Sequence, residues 1–130
     1  NNSLNILPLV VDVANPSPAI GFNNTERAAF HDRIQTELVM ALALIHHLVI
    51  GRNIPISALA GYFRRIAPQL IIEFVPKQDE KVKQMLSTRP DVFADYDQDH
   101  FENAFSAYFT IVDQVKIPGT ERILYRMIRK

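Results

Sequence analysis

Cysteine is absent from the 130 residues, which rules out disulfide bridges and thiolate zinc sites and fits a reducing compartment such as the cytoplasm. Net charge is absent too. Fourteen basic residues balance 14 acidic ones, so no broad field draws the chain to nucleic acid or to an anionic membrane. No apolar stretch nears the ~20 residues that span a bilayer, because the longest, Leu38 to Ile50, is interrupted by His46 and His47. Glycine is scarce: Gly21, Gly51, Gly61 and Gly119 form neither a Gly-x-Gly cluster after a strand nor a Gly-x-Ser-x-Gly elbow. A histidine-dependent hydrolase would therefore lack its nucleophile turn. Asn1 rather than Met opens the chain and no basic-then-apolar leader follows, so the N-terminus reads as processed or shortened.

What is present suffices for one domain, with a core burying about two-thirds of the unfolded surface. The most informative stretch is Glu37 to Leu48, an apolar run ending in His46 and His47. Its composition suits a strand buried on both faces that delivers side chains to a cleft, while periodicity alone leaves a buried helix open. A helix from Pro55 to Ala67 follows, with Leu59, Tyr62, Phe63 and Ile66 at helical spacing, and then a second apolar strand, Leu70 to Val75. Strand, helix and strand in succession imply a parallel sheet. An earlier strand, Ile6 to Val13, ends at Asn15-Pro16-Ser17-Pro18, and a helix is expected from Thr25 to Gln35. Leu44 to Ile50 allows a helical turn or two stopped by Gly51. Further on, Lys77 to Thr88 and Tyr96 to Tyr108 read as amphipathic helices around a turn at Arg89 to Phe93. Phe109 to Ile117 and Arg122 to Ile128 read as strands joined at Pro118-Gly119-Thr120. There is no internal repeat and no low-complexity tract.

Few residues offer chemistry. Adjacent helical positions point about 100° apart, so His46 and His47 cannot both face one small ligand, which argues against a metal pair. His46 could act as a general base, since an imidazole titrates near neutrality, or each could simply be a satisfied structural histidine. Glu73 follows three apolar residues, where a carboxylate is costly unless paired or open to a cleft. It could orient substrate or accept a proton, or it could pair with a nearby Arg or Lys. The charge runs Asp79 to Lys83 and Arg126, Arg129, Lys130 read as solvated faces.

Taken in order, Leu7 to Pro18 with Asp12 and Asn15-Pro16, then Gly21, Glu26-Arg27, Ala41 to His47 and Ile71 to Lys77 resemble a Rossmann-like S-adenosylmethionine-dependent methyltransferase. The similarity is closer still to the nodulation-protein type of that superfamily and runs from about Leu7 to Arg129. Each motif is weak singly; as a set they are fairly specific. The resemblance implies an α/β fold, a partial methyltransferase sheet with strands 3, 4, 5, 7 and 6 present and strands 1 and 2 absent, closed by a C-terminal antiparallel hairpin. It places Asp12 on the adenine amino group, the Val13 amide on the neighbouring ring nitrogen, and Ala41, Leu42 and Ala43 around the methionine portion of S-adenosyl-L-methionine. It places one of His46 and His47 on the substrate side, the other packing or hydrogen-bonding locally, with Glu73 as a further substrate-side candidate. Without a resemblance, Asp12 reads equally as a strand end opening an Asx turn, and Ala41 to Ala43 as core.

The glycine-rich turn after strand one and the acid after strand two, which grip the cofactor in that family, have no counterpart here. Residues 1–130 are thus expected to be the C-terminal portion of a methyltransferase domain, binding S-adenosyl-L-methionine weakly or not at all when alone. Absent strands leave an apolar edge on the strand near Val39, which the Ile6 to Val13 strand or a second copy of the chain would cover. The rival expectation is a non-catalytic α/β interaction module associating through that exposed sheet edge, as a homodimer for instance. The methyl acceptor, a small molecule or a glycan among the options, is not legible.

Overall fold

Short apolar segments alternate with amphipathic stretches in the second half of the chain, and they fold accordingly. The computed structural model describes residues 36–130. The elements there follow in the order β1 (Val39–Ala41), α1 (Ile56–Ile66), β2 (Gln69–Phe74), α2 (Glu80–Leu86), α3 (Gln98–Ser106), β3 (Phe109–Lys116) and β4 (Ile123–Arg129), with a π-helical turn, His47–Gly51, between β1 and α1. The strand expected over Ile6 to Val13, the helix expected over Thr25 to Gln35, and Asp12 and Val13 all lie outside the described residues.

The architecture is mixed α/β. β1 runs parallel to β2, with Met40 opposite Ile71, which requires the α1 crossover between them. β4 inserts antiparallel between β2 and β3, so the sheet reads β1-β2-β4-β3. The turn between β3 and β4 places Gly119 at φ 77°, left-handed backbone that glycine adopts without a Cβ clash.

One sheet face carries the core. Leu70, Ile72 and Phe74 from β2 line up with Met127, Tyr125 and Ile123 of β4, and all but Ile123 are fully buried. Against them α1 turns Leu59, Phe63 and Ile66, and α3 turns Phe101 and Phe105. Phe101 is the hub, its ring 4.9 Å from Phe74, 4.6 Å from Phe105 and 5.1 Å from Tyr125, separations at which aromatic pairs attract beyond their buried area. Both buried phenols find acceptors: Tyr96 donates to the Val75 carbonyl and Tyr125 to the Glu102 carboxylate. Burial pushes the titration of each phenol upward.

Three expectations are corrected. The Glu37 to Leu48 run is not one long strand: pairing stops after Ala41 because Ala43 adopts φ 52°, and the chain then turns into helix, with the Leu44 carbonyl accepting from the amides of His47 and Leu48. Nor is β1 sandwiched. Met40 is 59% exposed, and Leu38 and Leu42 are also open, because the helices packed on the sheet cover the opposite face. Asp79, expected on a solvated face, is instead the N-cap of α2: its carboxylate accepts the Lys81 amide at 2.9 Å and is largely enclosed by Arg122.

Candidate functional site

In open α/β sheets, ligands gather beyond the carboxyl ends of parallel strands, and here those ends are Ala41 of β1 and Phe74 of β2. Most of the candidate residues fall there. Ala41 is buried in the strand, whereas Leu42 and Ala43 form an exposed turn, so ordinary core packing explains only the first of the three. The Ala43 conformation is disfavoured for a residue with a Cβ by roughly 1–2 kcal/mol, so something must hold it.

That something is Glu73. Its Oε1 accepts the Ala43 N–H at 2.8 Å, spanning from β2 to the turn after β1. The same oxygen accepts from Arg122 Nη1 at 3.3 Å. Glu73 is only 7% exposed, which a carboxylate tolerates because both donors replace lost water. Of the two roles left open for Glu73, pairing with an arginine is therefore present in the fold. Lys77, its neighbour in sequence, pairs elsewhere, with Asp91 at 2.9 Å.

Arg122 is a two-carboxylate bridge. Besides Glu73, it donates from Nε and Nη2 to Asp79, at 2.8 and 3.3 Å. This hydrogen bonding holds the Asp79 carboxyl below the usual carboxylate range and raises Arg122 further. The Arg122 amide donates to Thr120 Oγ1 at 3.0 Å, and that hydroxyl donates to the Ile117 carbonyl, so the hairpin turn itself presents the guanidinium. Beside the bridge, an open cleft of about 900 Å³ runs between the start of α2 and the β3–β4 turn, lined by Glu73, Asp79, Lys81, Lys116 and Arg122 among others.

The two imidazoles occupy different worlds. His46 is 1% exposed and its Nδ1 has no hydrogen-bond partner among the described residues, while His47 faces solvent. Their rings nevertheless touch, with centroids 4.1 Å apart. Burial first, then the neighbouring His47 and Arg122, pulls the His46 pKa down to about 4, so this ring is neutral at physiological pH. Among the described residues, no three His, Asp or Glu side chains are grouped to hold a metal ion. His100, remote in sequence from the pair, is bound to Asp97 at 2.8 Å, which raises its pKa.

Asp79 and Arg122 were the site residues that sequence reasoning missed. A signal existed for the first, since an Asp two residues into an expected helix start is a favoured N-cap. None existed for the second, because partners 43 residues apart carry no local pattern.

Comparison with known proteins adds one relative. The chain is 43% identical over 127 residues to a protein described as nodulation protein NoeA, from Rhizobium meliloti (strain 1021); the match takes in 98% of this chain and 27% of the relative. The chain thus spans about a quarter of the length of the curated relative it matches. No protein-family model matches, and no solved structure matches.

Proposed function

We propose that this chain is the C-terminal part of a methyltransferase domain that uses S-adenosyl-L-methionine, within a nodulation-related protein of greater length. The observation that carries the reading is the sheet order β1-β2-β4-β3, a parallel pair followed by a last strand inserted antiparallel before its predecessor. That is the order which the resemblance implies for strands 4, 5, 7 and 6. Similarity to a nodulation protein over nearly the whole chain supports the second half of the reading.

The described residues suit one side of the cofactor. The exposed turn at Leu42 and Ala43, beyond a buried small residue at Ala41, offers backbone that a ligand can approach closely. By resemblance these three would hold the methionine portion, and Asp12 and Val13 the adenine. When bound, the sulfonium supplies an activated methyl group with a good leaving group. The protein's share is then positioning and exclusion of water, and a base matters only for a protonated nucleophile. His46 is neutral but a weak base, its pKa lowered to about 4, and its burial leaves His47 as the imidazole open to an acceptor. The acceptor is a small molecule or glycan in this reading, and the reaction takes place in the cytoplasm.

Calorimetric titration with S-adenosyl-L-methionine tests the proposal, on the 130-residue chain and on a form extended at its N-terminus toward the length of the relative. The extended form should bind saturably and the short chain weakly or not at all. No heat from either would remove the reading.

One observation favours a second reading, association through the sheet edge: Met40 in β1 and Leu38 and Leu42 flanking it present open apolar side chains. Met40→Lys would then abolish concentration-dependent self-association in sedimentation runs. A monomer at every concentration would dispose of that alternative.

A further inference from the structure

We infer that Glu73 is a positioning residue rather than a substrate contact, and that with Arg122 it clamps the Ala41–Ala43 turn in the conformation it presents to a ligand. The inference rests on the reading of that turn as the cofactor-facing backbone, but the clamp itself stands on geometry alone.

Three observations meet at one oxygen. Ala43 sits at φ 52°, a conformation its own side chain opposes. Its amide is aimed at Glu73 Oε1, 2.8 Å away across the gap between β1 and β2, so the hydrogen bond exists only while the turn keeps this shape. The oxygen is itself fixed, because Arg122 Nη1 reaches it at 3.3 Å while the other guanidinium nitrogens grip Asp79. Asp79 in turn accepts the Lys81 amide, anchoring the assembly to the first turn of α2. A line of contacts therefore runs from the turn after β1, through β2, to the β3–β4 hairpin and on to a helix end.

The chemistry favours this over a direct substrate role. The oxygen already accepts a backbone amide and a guanidinium, and moving it to a substrate would release a strained turn and leave Arg122 with one partner fewer. The position also makes sense of a buried acid in an apolar strand. Holding a backbone amide in the turn after the neighbouring strand needs an acceptor at that distance, which the Glu73 carboxylate supplies.

Amide hydrogen exchange on the whole chain, followed residue by residue by NMR, tests the clamp. In Glu73→Ala the Ala43 amide should exchange about tenfold faster than in the parent, the worth of one lost hydrogen bond, while the Ile72 amide at the sheet centre moves far less. Glu73→Gln keeps a carbonyl for the Ala43 N–H and should stay within about threefold of the parent at that amide. Equal acceleration at Ala43 and Ile72, or none at Ala43, would overturn the clamp; should Glu73→Ala fail to fold, a tenfold rise at Ala43 in Glu73→Gln would overturn it equally. Titration of the extended form with S-adenosylhomocysteine adds the functional arm. A Kd raised about fivefold or more by Glu73→Ala, with Glu73→Gln closer to the parent, is expected. Unchanged affinity in Glu73→Ala would overturn the ligand-facing role. If the parent itself does not bind while Ala43 exchange responds as stated, the clamp holds and the methyltransferase reading is the part that falls.

Discussion

Arg122 and Asp79, 43 residues apart, are joined by two hydrogen bonds, from Nε at 2.8 Å and from Nη2 at 3.3 Å, so the last hairpin is stitched to the first turn of a helix. Because Glu73 shares the same guanidinium, one cation separates two enclosed carboxylates. Removing it leaves both without their main counter-charge.

Arg122→Met should therefore destabilise the fold by about 2–4 kcal/mol, somewhat below the loss typical of a fully buried pair because the guanidinium keeps some solvent contact. Urea unfolding at neutral pH measures it. A loss below about 0.5 kcal/mol would mean that the bridge is ornamental, as exposed ion pairs commonly are.

The His46 pKa predicts a pH dependence whose sign is set by its direction. In the unfolded chain the ring protonates near 6.5 and in the folded chain near 4, so between those values the unfolded state binds more protons. Stability therefore falls as pH drops from 6.5 toward 4 and this contribution flattens below. The loss should be on the order of 1–3 kcal/mol, and His46→Met should lessen it in a series of denaturation midpoints from pH 7 to 4. Asp79, held low by Arg122, contributes a separate loss at the acid end of the series. An unchanged slope in His46→Met would refute the assignment to this ring.

Ala43→Gly should raise stability by about 0.5–1 kcal/mol, since relief of the left-handed clash outweighs the extra freedom of glycine in the unfolded chain. The reverse sign would show that the turn does not have this conformation. Thermal unfolding of the two chains side by side decides it.

Phe101→Ala should be the most damaging of these changes, at about 3–5 kcal/mol, because the ring is fully enclosed and touches Phe74, Phe105 and Tyr125. Met40→Lys, by contrast, should alter stability by less than about 0.5 kcal/mol, as its side chain is mostly in water. Chemical denaturation of both variants tests whether the sheet has the core face described. Comparable losses would contradict it.

The amino-acid order alone determined a good deal. The helix beginning after Pro55, the strand at Leu70 and the hairpin about Pro118-Gly119-Thr120 follow from local rules, proline and glycine punctuating runs whose period is either helical or alternating. It also marked Glu73 and the adjacent histidines as odd in their surroundings. It allowed the helical turn over Leu44 to Ile50 that the fold contains, but ran the strand too far, because an apolar run has the same composition whether it continues as a strand or breaks into a turn and a helix. The break depends on Ala43 being held at φ 52° by a carboxylate thirty residues later. Only the tertiary structure could decide that, or bring Arg122 between Glu73 and Asp79, or bury one imidazole and expose its neighbour. Those relationships join positions distant along the chain, and the free energy that fixes them comes from desolvation and hydrogen bonding that exist only once the sheet has assembled.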